Sequence, residues 1–449
     1  MDTHIFLDRK TYKETWKAQI FYIFVSLYEG TVFSFLTLFL SEARKNLNWT
    51  PLMTSLSLFL PCAGAAMGVL ITSHFVSTQK KNLKIMRGLC IFSFLLIICL
   101  SLLGINLPTG LDNEGMVVNN KSYILLFLTF IILPSFLMAS HWSFLSFQSS
   151  NNADINFAEG SKHGHICLYE TLAPIVASPL AGFLAESSYA SYKGYLLLFL
   201  VTSPVLLILF ALTFMFKPFP PEAFHDDGHE KTTYKELFAN KTYLTYLVLA
   251  AIWIPIIWAS DSLVSNYWTS LESSTNVLNM FNPVTWGLFV AFSSLVEFTF
   301  IFFNTKRGFG KKVRFSMTLA FIALFIECTA FSFISYFFLE TNDEGVWLLI
   351  LIIALHALKG AANGLYLTSN LAMLHHILGA KLRRKAVFFA PFIFQIVNSI
   401  LQLVYPYLIT TRRSVAFVVL AIFAIAGFVG SLFLDVSLLH EKKSDDYEE

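Results

Sequence analysis

Charge is what this chain has least of. Only 13% of its 449 residues are Asp, Glu, Lys or Arg, about half the roughly 25% of an ordinary soluble domain. With 56% hydrophobic residues and a mean hydropathy of +0.63, a soluble globular protein is excluded and an integral membrane protein is expected. The net charge of +2 leaves no basic footprint for a nucleic-acid partner. Cysteine is scarce as well. Cys62, Cys90, Cys99, Cys167 and Cys328 include no CxxC pair and no Cys/His ligand spacing, which argues against a disulfide framework or a metal site. No GxSxG, HExxH or phosphate-binding glycine loop occurs, so neither enzyme chemistry nor a cofactor is expected. The first seventeen residues are polar and lack the apolar core of a secretory signal, leaving the first membrane helix as the targeting signal.

Long apolar runs are abundant. A helix needs about 20 apolar residues to cross the hydrocarbon core, and runs of that length fall at 18–40, 51–73, 85–106, 123–145, 165–186, 193–216, 242–265, 283–304, 315–339, 346–368, 386–410 and 414–438. These are numbered as the first to twelfth spans. Loop charge tests the count, because cytoplasmic loops collect Lys and Arg. With the N-terminus inside, the inner segments and span ends hold 24 of the 31 basic residues, the outer ones hold six, and Lys359 is the one left at membrane depth. A multi-pass protein of the plasma or inner membrane, with both termini cytoplasmic, follows.

The longest inner connection, 217–241, is mixed in charge and contains three prolines. It divides the chain into an N-terminal six-helix bundle (1–216) and a C-terminal one (242–438), followed by a cytoplasmic tail (439–449). The expected fold is therefore all-α, with twelve transmembrane helices as two pseudo-symmetric six-helix bundles. Lys80-Lys81 recurs as Lys311-Lys312, and Glu29 in the first span corresponds to Asp261 in the seventh. Parallel six-helix repeats of this kind are a known transporter plan.

Ionisable groups at membrane depth are the candidate chemistry, since a charge at mid-bilayer costs roughly 2.5–3.5 kcal/mol on the lenient scale. The tenth span carries His356 and Lys359 on one helical face, with Asn363 a turn further on. Glu29 is central in the first span, Glu170 lies inside the fifth, Asp261 is in the outer third of the seventh and Glu297 is in the eighth. Glu327, central in the ninth, and His141, near the inner end of the fourth, read more simply as a pairing partner at a bundle edge and a solvated group. The plain alternative for all of them is that they pair and fix packing, although buried pairs stabilise poorly compared with apolar contacts. Tyr28, Trp142, Trp253, Trp258 and Tyr366 are candidates for stacking on a sugar or base, or for anchoring at the interface.

On these residues the chain resembles the major facilitator superfamily. The inner loop Arg307 to Phe315, RGFGKKVRF, is similar to that superfamily's signature of a glycine followed by basic residues, matched by Gly310, Lys311 and Lys312. The acidic residue that normally precedes them is absent. The copy after the second span retains Gly68, Lys80 and Lys81, with Thr72 where an aspartate is usual. These six residues are the expected gating loops. FYIFVSLYEGTVFSFLTLFL, SSLVEFTFIFF and ALHALKGAANGLYL are similar to the branch that contains the lactose permease and nucleoside:proton symporters.

The resemblance implies a cavity lined by the first, fourth, seventh and tenth spans, flanked by the second, fifth, eighth and eleventh. It matches His356 to the lactose permease's histidine but puts Lys359 where that protein's proton-coupling glutamate would be. The expectation is a monomeric secondary transporter of a sugar, nucleoside or organic anion, coupled to protons, with Lys359 facing Glu29 or Glu297 and one of those carboxylates carrying the proton. An uncoupled exchanger of anionic metabolites and a transporter-like receptor or lipid-handling protein are the competing expectations.

Overall fold

In a computed structural model, the described residues are 9–47, 79–107, 124–129, 161–188, 192–216, 234–274, 280–307, 313–337, 345–377 and 380–434, with Trp49, Leu56, Phe59, Cys62, Ala63 and Ala66. Among them there is no strand, and nine helices are long and apolar enough to cross a membrane: Gln19–Ala43, Leu83–Ile105, Leu168–Glu186, Tyr192–Met215, Lys241–Thr269, Pro283–Asn304, Val313–Phe337, Val346–Asn370 and Arg412–Leu432. Each coincides with one of the expected spans. The second, fourth and eleventh spans are described only in part. Leu56, Phe59, Cys62, Ala63 and Ala66 are helical, as are residues 124–129. The eleventh and twelfth spans are two helices within Ala380–Leu432, separated by a kink at Arg412 (φ −153°, ψ 86°). The chain is an all-α, multi-pass membrane protein.

The fifth span illustrates why these sequences form packed membrane helices. Val176, Leu180 and Phe183 are about 60% exposed on one face, whereas Ala173, Ala177, Ala181 and Ala185, four residues apart, are buried on another. Without a hydrophobic drive between helices in lipid, association depends on small residues that permit close approach. A Cβ on Gly182 would collide with the carbonyl of Pro283, and one on Gly287 with the carbonyl of Ser178. The fifth and eighth spans thus touch backbone to backbone. On its other side the eighth span meets the tenth, where a Cβ on Gly360 would strike the Ser293 carbonyl.

The first span is not a continuous α-helix. Arg9–Tyr28 passes into a π-helical turn, Glu29–Phe33, before Ser34–Leu47 resumes the α-helix. Such turns release backbone carbonyls from their usual partners and are frequent at functional sites. Here Ser178 of the fifth span donates to the Gly30 carbonyl at 3.1 Å, and Gly30 lies against Pro174. Trp286 of the eighth span donates its Nε1–H to the Ser34 carbonyl at 2.9 Å, and Ser41 bonds Thr269 of the seventh at 3.0 Å. These contacts fasten the first span to both halves of the chain.

Candidate functional site

A cavity of about 340 Å³ lies where these helices converge, walled by the first, fifth, seventh, eighth, tenth and eleventh spans and by Cys62. Seven residues singled out from the sequence line it together: Glu29, Glu170, Asp261, Glu297, His356, Lys359 and Asn363. Trp142, Gly68, Gly310, Lys311 and Lys312, with His141, lie outside the described residues; Lys80 and Lys81 belong to the helix Gln79–Ile105, their side chains being outside the description.

Lys359 has a different partner from either one expected. Its Nζ pairs with Asp261 Oδ1, not with Glu29 or Glu297. The reason is helix length. The seventh helix continues to Ser274, beyond the expected end at 265, which puts Asp261 further from the helix end. At about 1.5 Å per residue, Asp261 lies about 20 Å from Ser274 along its helix, and Lys359 about 20 Å from Gly345 along its own. They meet at the same depth. Glu297 Oε1 is instead bonded by Asn363 Nδ2 at 2.8 Å.

Glu327, expected as a pairing partner at a bundle edge, does have partners and does not line the cavity. It is fully buried, and its Oε1 lies 3.1 Å from His356 Nδ1 and 3.4 Å from the Ser260 hydroxyl. The other imidazole nitrogen, Nε2, is 3.7 Å from Asp261 Oδ1. Phe289 stacks on the imidazole at 4.1 Å, with 14° between the rings, and holds its plane. A continuous chain results, from Lys359 and the half-exposed Asp261 at the cavity, through His356, to Glu327 behind the wall. His356 to Lys359 spacing was legible in the sequence, but reach from the ninth span to the tenth depends on helix rotation, which apolar runs do not report.

The aromatic candidates divide. Trp258 lines the cavity, whereas Trp253 and Tyr366 stack on each other at 4.2 Å and 6° and are buried away from it. Their faces are occupied by one another. Trp286 was not singled out and does line the cavity; its position next to Pro283 at a helix start reads as an interface anchor from sequence alone. Gln402 of the eleventh span is also on the wall and was missed.

The arrangement has counterparts among solved proteins. The chain superposes on the structure of the nucleoside transporter NupG with a TM-score of 0.61 at 12% identity, covering 95% of this chain and 98% of that one. It matches a D-xylose-proton symporter with a TM-score of 0.63 at 15% identity, over 94% and 97% of the two chains. The MFS (major facilitator superfamily) proton:xylose symporter XylE, bound to 6-bromo-6-deoxy-D-glucose, gives 0.67 at 11% identity over 94% and 96%. The fold is that of the major facilitator superfamily. No family description matches the sequence, and no curated protein matches it. This major facilitator fold therefore carries a site whose residues have to be read from their own geometry.

Proposed function

We propose that this protein is a secondary transporter that moves a small uncharged polar solute, a sugar or nucleoside, by alternating access together with protons. The observation that carries the reading is the chain Lys359–Asp261–His356–Glu327, open to the cavity at one end and closed at the other. A proton arriving at Asp261 displaces Lys359, and the imidazole links Asp261 to Glu327 by accepting at one ring nitrogen and donating at the other. Release in the opposite state reverses the order. The two bundles, 1–216 and 242–438, rock about the cavity between them, with the inner signature loops as gates.

Electrostatics favours an uncharged solute over an organic anion. Among the described residues the wall holds four carboxylates, Glu29, Glu170, Asp261 and Glu297, against the single lysine, and that lysine is already paired. The solved neighbours, named as nucleoside and xylose transporters, support the same class.

Uptake of labelled D-xylose, uridine and D-glucuronate into proteoliposomes, with and without an inward proton gradient, tests the proposal. Gradient-driven accumulation of D-xylose or uridine, lost in His356→Ala, is the expected result. Exchange that ignores the gradient, uptake of D-glucuronate alone, or no uptake by folded protein overturns it.

A further inference from the structure

The rings on the cavity wall differ in what they have left to bind with. Phe33 packs edge-on against Tyr28 at 5.9 Å. Trp286 is 3% exposed, stacks on Phe289 at 4.9 Å and 29°, and donates its N–H to the Ser34 carbonyl. Trp258 is the exception. It is partly exposed, and among the described residues its indole has neither a ring partner nor a hydrogen bond. Ile257, Asp261 and Ser262 line the same cavity, and residues three and four apart share a helical face, so this face of the seventh helix is turned towards the cavity.

Asp261 follows three residues later on that face. Its Oδ1 takes Lys359 and approaches His356, but the side chain is 45% exposed, and Oδ2 has no hydrogen-bond partner among the described residues. One turn of helix thus presents an uncovered ring beside an accessible acceptor. The pair matches a ring-shaped solute with hydroxyls on its rim: the C–H face of a pyranose, or the base of a nucleoside, covers the indole while a hydroxyl donates to the carboxylate. An open-chain polyol offers the hydroxyls without the flat face.

We propose that Trp258 and Asp261 form a two-point subsite for a cyclic uncharged solute, with the indole as the stacking platform and Asp261 Oδ2 as the hydroxyl acceptor. Solute and cation then share one carboxylate, because Asp261 also holds Lys359, and the ring on Trp258 decides which solutes reach it. This assignment rests on the cavity being the solute site, but not on protons being coupled.

Hydroxyl-radical footprinting of the full-length protein in detergent, read residue by residue by mass spectrometry, tests it without a gradient. D-xylose or uridine is expected to slow oxidation of Trp258 and to leave Trp347 unchanged, since Trp347 is 75% exposed near the start of the tenth helix and does not line the cavity. D-glucuronate should protect neither residue. Xylitol, which has hydroxyls but no ring, should protect Trp258 only at about tenfold higher concentration, the order of effect that a stacking ring supplies. In equilibrium binding of whichever labelled probe protects, Trp258→Leu should weaken affinity about tenfold or more, whereas Trp258→Phe, which keeps a ring, should bind nearly as well as the parent. Melting temperature is followed in parallel, and a Trp258→Leu variant that does not fold transfers the decision to footprinting of the parent and binding by Trp258→Phe. No protection of Trp258 by D-xylose or uridine, protection by D-glucuronate alone, xylitol as effective as the cyclic probe, unchanged binding in folded Trp258→Leu, or binding lost in folded Trp258→Phe each overturns the assignment. Trp258-dependent binding without gradient-driven uptake would refute coupling and leave the subsite standing. Coupled uptake that survives Trp258→Leu unchanged would do the reverse.

Discussion

The walls of the cavity are built on opposite principles in the two halves of the chain. On the C-terminal side, Asp261, His356, Lys359 and Glu327 are joined by charged contacts across the seventh, ninth and tenth spans. On the N-terminal side, the first and fifth spans meet through Gly30, Pro174 and Ser178, with backbone carbonyls as the acceptors. The chain of charged contacts lies on one wall; on the other a close approach of two backbones, beside Glu29 and Glu170, shapes the cavity. In the proposed mechanism this division separates the part that senses protons from the part that sets the shape of the opening. Asp261, Glu297 and Glu327 each have a polar partner beside them, which offsets the cost of a carboxylate away from water.

Removing the cation breaks the comparison most severely. Lys359→Ala leaves Asp261 and the His356–Glu327 pair without their balancing charge, and breaking a buried pair costs about 3–5 kcal/mol, less where one partner is half-exposed as Asp261 is. A drop in melting temperature and complete loss of gradient-driven uptake are expected. Lys359→Ala combined with Asp261→Asn should recover much of the stability and none of the coupled uptake. Additive losses in that double-mutant cycle would show that the two residues act apart.

Steric change on the other wall comes next. Gly182→Leu forces the fifth span away from the Pro283 carbonyl, and overpacking of this kind costs about 1–3 kcal/mol. Spin labels across the fifth and eighth spans should report a wider separation, while the charge chain remains intact. Equal distances in the variant and the parent would mean that the close approach is not what sets the spacing.

Smaller again is Ser178→Ala, which leaves the Gly30 carbonyl without its donor for a loss of about 1 kcal/mol; denaturant or thermal unfolding in detergent checks it. Tyr366→Phe is expected to change stability by less still, since the stack on Trp253 needs only the ring.

Much of this was legible in the sequence, and the misses have a common cause. Apolar run length located every described span, because the bilayer sets a minimum length. Energetic cost then identified the residues that need a reason to be there, and Glu29, Glu170, Asp261, Glu297, His356, Lys359 and Asn363 do share one cavity. Pairing was not legible. Whether Lys359 meets Asp261 or Glu297 depends on helix ends and rotation to within a turn, and the apolar run that ended near 265 gave no sign that the helix continues to Ser274. Gln402 escaped for another reason. An uncharged amide costs too little in a hydropathy profile to be noticed.

The π-helical turn at Glu29–Phe33 has a consequence for how this chain tolerates length changes. A π turn is an α-helix holding one residue too many, so it is a place where a residue can be removed without breaking the helix. Deleting one residue there would let the first span close into an uninterrupted α-helix and rotate everything on one side of the turn by about 100° relative to the other. The register of Arg9–Tyr28 against the cavity is set by that single surplus residue.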